Sequence, residues 1–205
     1  MLLRILKEEN KYISIEPGIN GLDVDFQLEY KNETIGNQKN HVIFNNENLD
    51  YFTKTIENLK SNNSWGKNKI LDFLECYSKL NKFSNYITVN ISSPNTVGLR
   101  DFHEEELLSK LLSKLLDLKK KQKLSCPIAL KLSPDVGVKE ISNINEMILK
   151  FKIDGVVLTN TTNQNRDNLS DTNKNEIGGL SGLPLQKLSL KFIKNFYKSN
   201  KGKTP

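Results

Sequence analysis

Three short apolar runs, each followed by an amphipathic stretch, dominate the second half of this chain. They are Tyr86-Ile87-Thr88-Val89-Asn90-Ile91, Pro127-Ile128-Ala129-Leu130-Lys131-Leu132 and Asp154-Gly155-Val156-Val157-Leu158-Thr159-Asn160. Short, β-branched and bounded by turn residues, they predict buried parallel strands. Between them, apolar residues return at helical spacing. Leu107, Leu108, Leu111, Leu112 and Leu115 share one face of a helix predicted over about 104–121. A second helix covers about 138–151. A third opens at Pro184, after Gly178-Gly179-Leu180-Ser181-Gly182, and reaches about Tyr197. A strand and a helix every roughly 30 to 40 residues predict parallel β/α units.

The first 84 residues are less regular. Tyr12-Ile13-Ser14-Ile15 alternates like a strand, Pro17-Gly18 and Asn20-Gly21 are turn signals, and Leu22 to Tyr30 could form a second short strand. Asn45, Asn46 or Asn48 could cap a helix running to about Lys60, with Leu49, Phe52, Ile56 and Leu59 on its face. Ser61-Asn62-Asn63-Ser64 would end it. The next helix, over about 69–80, is expected to bury Ile70, Leu71, Leu74 and Tyr77. Residues 1–47 are therefore read as an irregular N-terminal segment and 48–205 as central β/α barrel units. The predicted fold is α/β, a partial (β/α)8 barrel of parallel strands that does not close. Lys201-Gly202-Lys203-Thr204-Pro205 stands where a further strand should begin, so the barrel is expected to be truncated before its last strands.

Composition narrows the classes. The 205 residues give room for one domain, but only 37% are hydrophobic, which implies a modest core and long polar loops. The net charge of +6 suggests acidic partners. The lysines are spread along the helices, however, and no zinc-finger, RNP or basic-arm pattern points to nucleic acid. Cys76 and Cys126 lack metal-ligand spacing and read as buried free thiols in a reducing compartment. No metal site is expected. No apolar stretch approaches the ~20 residues of a membrane span. Met1-Leu2-Leu3-Arg4-Ile5-Leu6-Lys7 is too soon charged for a secretory signal. The expectation is a soluble, cytoplasmic protein or a peripheral one.

The chemistry sits at the strand tips. In a β/α barrel, function gathers at the C-terminal ends of the strands. Here they read Asn90-Ile91-Ser92-Ser93-Pro94-Asn95-Thr96, then Lys131, then Thr159-Asn160-Thr161-Thr162. Asn, Ser and Thr are ordinary turn residues. A lysine inside an apolar strand is not, because burying an unpaired ammonium costs several kcal/mol, so Lys131 should face an anionic or acceptor partner. The set is rich in neutral hydrogen-bonding groups and suits a planar, amide-rich ligand. His41 and His103 lie away from the tips. His103 precedes Glu104-Glu105-Glu106 at a helix start, where capping or a solvated face is expected.

At these residues the chain resembles the class 2, quinone-dependent dihydroorotate dehydrogenases, FMN enzymes built on a β/α barrel. Asn90 to Arg100 is similar to that family's most specific motif. Ala129-Leu130-Lys131-Leu132-Ser133-Pro134-Asp135 resembles the strand with the flavin-facing lysine. Thr159-Asn160-Thr161-Thr162 and Gly178-Gly179-Leu180-Ser181-Gly182-Leu183-Pro184-Leu185 resemble the next two blocks, in order.

The resemblance implies that Ser93 is the base, taking a proton from C5 of dihydroorotate as hydride leaves C6 for the flavin. Class 1 enzymes carry Cys here. A serine is a poor base at neutral pH and would need a dry pocket and a proton relay, for which Thr96 is implied. Asn90, Asn95, Asn160 and Thr161 would hold the pyrimidine. Lys131 would lie beside the flavin ring, Asn90 and Thr159 would also face FMN, and Gly182 would let the backbone approach the cofactor. The implied partners are dihydroorotate, orotate and a quinone, in the biosynthesis of UMP. The implied location includes peripheral contact with the cytoplasmic or an organellar inner membrane.

The pattern departs from the family upstream. Asn40-His41-Val42-Ile43-Phe44-Asn45-Asn46 weakly echoes the substrate loop Asn-Arg-Met-Gly-Phe-Asn-Asn: Asn40 and Phe44 fit, whereas His41, Val42 and Ile43 do not. The Gly-Phe-Asp-Lys block and the membrane-docking helices are not recognisable. Trp65-Gly66-Lys67-Asn68-Lys69 is read as the tail of the Gly-Asn-Ile-Gly strand. The family's Gly-Gly and Tyr-Ser/Thr loops, which bind the FMN phosphate, have no counterpart. Four readings follow: an active class 2 enzyme, an inactive or split copy completed by a second chain, a non-catalytic flavin or pyrimidine binder, and another FMN barrel, which Ser93 with Asn95 disfavours.

Overall fold

The computed structural model describes residues 11–18, 21–28, 54–55 and 68–205, apart from 95, 96, 165, 168, 171 and 177. Its strands are β1 (Lys11–Gly18), β2 (Gly21–Leu28), β3 (Tyr86–Asn90), β4 (Ile128–Leu132) and β5 (Gly155–Leu158). Its helices are α1 (Lys69–Leu80), α2 (Glu105–Lys121), α3 (Val138–Lys150) and α4 (Leu183–Asn200). The sheet order is β2-β1-β3-β4-β5. β1, β3, β4 and β5 run parallel, whereas β2 pairs antiparallel with β1. This is the expected open, partial barrel wall. The two short strands expected near the N-terminus are present as β1 and β2, an antiparallel pair that joins the sheet at β3, so the segment is not irregular at 11–18 and 21–28. The helix expected up to about Lys60 lies outside the described residues except at Lys54 and Thr55, which are helical.

Register sorts the side chains onto two faces. Ile87 pairs with Ile128, Val89 with Leu130, Leu130 with Val156 and Leu132 with Leu158. These form the face against the helices. There they pack with Leu108, Leu111, Leu112 and Leu115 of α2, Ile141, Ile144 and Ile148 of α3, and Phe192 and Phe196 of α4. Each leucine fully buried in this way contributes about 1.5–3 kcal/mol. The opposite, inner face pairs Thr88 with Ala129, Asn90 with Lys131, Ala129 with Gly155 and Lys131 with Val157. Its foot opens into a cavity of about 110 Å³ lined by Tyr86, Ala129, Gly155, Val157 and Pro205 among others.

The buried face of α1 differs from expectation. It is Phe73, Cys76, Tyr77 and Leu80, an i, i+3, i+4, i+7 stripe, with Ile70 and Leu74 at its margin. Leu71 is 56% exposed. It sits about 200° around the helix from Phe73, on the far side. Tyr77 satisfies its buried hydroxyl by donating to the Cys126 carbonyl at 2.6 Å. Both cysteines are buried free thiols, and burial pushes the Cys76 and Cys126 thiols up.

After α4 the backbone turns at Lys201 (φ 56°) and Gly202 (φ 69°). Buried Asn200 accepts from Thr204 N at 2.8 Å and donates to Asn145 Oδ1 at 2.7 Å. These bonds steer the tail onto the β5 edge, where Val156 N donates to Pro205 O at 2.9 Å. No helix among the described residues is long and apolar enough to cross a membrane.

Candidate active site

The parallel register brings the three tips side by side. Asn90 ends β3, directly opposite Lys131 of β4, and both project on the inner face. Asn160 follows β5, held by its N–H to the Leu132 carbonyl at 2.9 Å. The side chains then form a compact network. Asn90 Oδ1 accepts from Ser92 N (3.2 Å), Ser92 Oγ (2.9 Å) and Asn160 Nδ2 (3.3 Å). Asn160 Nδ2 also donates to Ser92 Oγ at 3.0 Å. Asn160 Oδ1 accepts from Thr161 N at 2.8 Å. Asn160 thus commits its amide to orienting Asn90 and the serine loop. Such a network fixes geometry because each buried polar group loses a partner if one member rotates.

Ser93 is the next residue and is only 6% exposed. Lys131 is half-buried, with no hydrogen bond or ion pair among the described residues. The acceptor expected for it is therefore not a described protein side chain. That donor set fits a ligand carrying acceptor atoms or negative charge on the inner face. Thr159 points elsewhere: its hydroxyl donates to Ser189 Oγ of α4 at 3.1 Å. Asn40, Phe44, Asn95 and Thr96 lie outside the described residues.

Two glycines at the rim have definite reasons. A Cβ on Gly179 would lie 1.8 Å from Thr161 Oγ1, so the Gly178–Gly179 backbone can approach the β5 tip only without a side chain. Thr162 and Leu180 exchange backbone bonds across that contact, at 3.0 and 2.7 Å. Gly182 has φ 74°, a conformation that favours glycine, and open space where a Cβ would be.

Four residues at the tips were not given roles from sequence: Ser92, Arg100, Asp135 and Thr162. Arg100 pairs with Asp135 (Nη1 to Oδ2, 3.1 Å) and donates from Nε to the Ser92 carbonyl at 3.4 Å. Asp135 accepts from Thr162 Oγ1 in a short bond and from Asn163 N at 3.2 Å. One signal was available. Only three of the thirty cationic residues are arginine, and the two described ones both hold backbone carbonyls. Arg166 does so on Lys174, Glu176 and Gly178. A planar guanidinium holds several acceptors at once, as an ammonium cannot.

His103 is not at a solvated face. Its Nδ1 meets the Arg100 carbonyl at 2.9 Å, and its Nε2 is buried without a partner among the described residues. Burial holds its imidazole below the usual histidine range, against the raising effect of the Arg100 carbonyl; the Arg100 charge lowers it further and Glu140 raises it.

A family profile described as dihydroorotate dehydrogenase matches residues 17–205. A dihydroorotate dehydrogenase (quinone) of Shewanella baltica (strain OS185) is 43% identical over 182 residues, covering 81% of this chain and 53% of that protein. One from Shewanella sp. (strain W3-18-1) is 42% identical with the same coverage. The chain therefore spans about half the length of the curated relatives it matches. Among solved structures, DHODH from Eimeria tenella in complex with ferulenol is similar with a TM-score of 0.64 at 28% identity, over 67% of this chain and 41% of that one. The ligand-free form gives 0.62 at 29%, over 67% and 42%.

Proposed function

Because this chain belongs to the dihydroorotate dehydrogenase family, we propose that it carries the strand-tip part of a quinone-linked site that oxidises dihydroorotate to orotate in UMP biosynthesis. One observation carries this reading: the Asn90–Ser92–Asn160 network beside buried Ser93, with Lys131 in register and without a protein acceptor among the described residues. FMN, when bound, would supply the hydride acceptor and pass electrons on to a quinone.

This chain's residues would do the rest. Ser93 takes the proton from dihydroorotate. Its burial favours that role, because a serine acts as a base only where water is excluded and a relay removes the proton. Thr96 is the relay proposed. Asn90, Asn95, Asn160 and Thr161 bind the pyrimidine, and Asn40 and Phe44 are proposed as further substrate-binding residues. Asn160 works mainly through Asn90, to judge from its bonds. Lys131 and Gly182 form the flavin side, where Lys131 offsets negative charge on the reduced ring; Thr159, whose hydroxyl is held by Ser189, would face it through its backbone only. The working location is the cytoplasm or the face of a quinone-containing membrane.

A second reading, a site that works only with further β/α units in the same or a second chain, is favoured by α4. Leu183, Leu190 and Tyr197 recur at seven-residue spacing and are 81%, 51% and 65% exposed. Among the described residues, the free edge of β5 is paired only through Val156. Purification with a search for bound flavin absorbance and dihydroorotate-dependent quinone reduction separates the readings. Flavin and turnover from the chain alone support the first. Turnover only on co-expression of complementary units supports the second. Flavin retained with no turnover under either condition overturns both and leaves a binding protein.

A further inference from the structure

We propose that Arg100 is the positioning residue for Ser93, and that Asp135 is the carboxylate that holds it there; the proposal rests on the reading of Ser93 as the base. Arg100 stands on the short turn Arg100–His103 that ends the serine loop. From there its guanidinium reaches back across the loop. Nε takes the carbonyl of Ser92, the residue bonded to Ser93, while Nη1 takes Asp135 after β4. The same carboxylate receives the Thr162 hydroxyl and the Asn163 N–H after β5. Its own backbone is fixed by Ser133 Oγ on Asp135 N at 3.2 Å. One Arg–Asp pair therefore ties the loops after β3, β4 and β5 together at the height of the candidate base.

The other end of the serine loop is held in the same manner. Lys69 Nζ of α1 donates to the Val97 carbonyl at 2.6 Å. Ser93 thus lies between two backbone carbonyls, one taken by the cation that ends the loop and the other by a cation on α1. The two clamps are not equivalent. Lys69 makes one contact and could be replaced by any donor of similar reach. Arg100 must meet a carbonyl and a carboxylate at once, which needs the planar fork. The Arg100 and Asp135 side chains are 30% and 11% exposed, so the pair is partly sheltered from water rather than sealed from it. A base displaced by about 1 Å loses on the order of 100-fold in rate, which makes this clamp a means of setting rate apart from affinity.

One arm of the test needs no turnover. Hydrogen exchange on the full chain is compared for wild type, Arg100→Lys and the isosteric Asp135→Asn. Faster exchange in 91–98 and 160–164, with α2 and β4 unchanged, is expected. The second arm follows anaerobic flavin reduction by dihydroorotate in the flavin-loaded protein. Arg100→Lys should slow it about 100-fold while orotate affinity stays within about threefold. The Arg100→Lys/Asp135→Asn pair should be no slower than Arg100→Lys alone, because both act through one clamp. Unchanged exchange in both loops overturns the proposal, as does near-normal flavin reduction or a parallel loss of rate and orotate affinity. If wild type itself reduces no flavin, the functional reading fails, and the exchange arm still decides whether Arg100 holds the loop of Ser93.

Discussion

The two faces of the sheet are built on opposite principles. Toward the helices, Ile87, Val89, Ile128, Leu130 and Leu132 are fully buried against apolar partners. Toward the inside, the paired positions are Thr88, Asn90, Ala129, Lys131, Gly155 and Val157, small or polar, with a cavity at the foot. Because side chains alternate along a strand, each strand serves both faces with neighbouring residues. Lys131 sits between Leu130 and Leu132 in sequence, yet faces different surroundings. One face stabilises the fold; the other leaves room and hydrogen-bonding capacity. Stability and chemistry should therefore be separable by substitutions one residue apart.

The largest expected effect lies on the chemical side. Ser93→Ala should slow dihydroorotate-dependent flavin reduction by ~10²–10⁴-fold while FMN stays bound and the thermal midpoint is unchanged. Near-normal turnover would remove Ser93 as the base. Next, Leu130→Ala should cost ~2–5 kcal/mol in urea unfolding, since it empties a packed site. Its neighbour change Lys131→Met should alter stability by less than about 1 kcal/mol and slow flavin reduction about tenfold or more. Equal stability losses at the two positions would erase the contrast between the faces.

Gly179→Ala tests the rim, where the new methyl group meets Thr161 Oγ1. A loss of ~1–3 kcal/mol is expected, recovered in part by adding Thr161→Ala. A single variant as stable as wild type would show that the backbone can move away.

The smallest effect is a pH slope. The folded-state pKa of His103 is lowered from 6.5, so below that value the unfolded chain binds a proton that the folded chain does not. Stability should be full above pH 6.5 and fall as pH drops from there toward the lowered folded value. In His103→Gln the thermal midpoint should change less between pH 7 and pH 5 (about one unit on either side of the free value). An unchanged slope would place the titration elsewhere.

Much of the fold was legible because each element repeats a local pattern. The Leu107–Leu115 stripe gave α2, and the β-branched runs gave β3, β4 and β5 within a residue or two at most ends. The buried face of α1 differs from the expected one at Leu71 because several apolar residues crowd that helix, and tertiary contacts such as Phe73 against Phe102, rings 5.9 Å apart, and Tyr77 on the Cys126 carbonyl select among them. At the site, Asn90, Ser93, Lys131, Asn160 and Thr161 could be named because they stand at strand ends in a motif. Arg100, Asp135 and Thr162 could not. They lie 27 to 62 positions apart, and their bonds exist only once three loops meet.

The sequence alone determined the parallel β/α order, the candidate base and the family, because periodicity and motifs are written in neighbouring residues. Tertiary structure decided which partners those residues keep. It oriented Asn160 toward Asn90, turned Thr159 toward Ser189 and left Lys131 without an acceptor among the described residues. It also drew Arg100 and Asp135 into one clamp. The reason is physical: a hydrogen bond depends on distances of a few tenths of an ångström between groups far apart in the chain, and only the packed sheet and its loops set those distances.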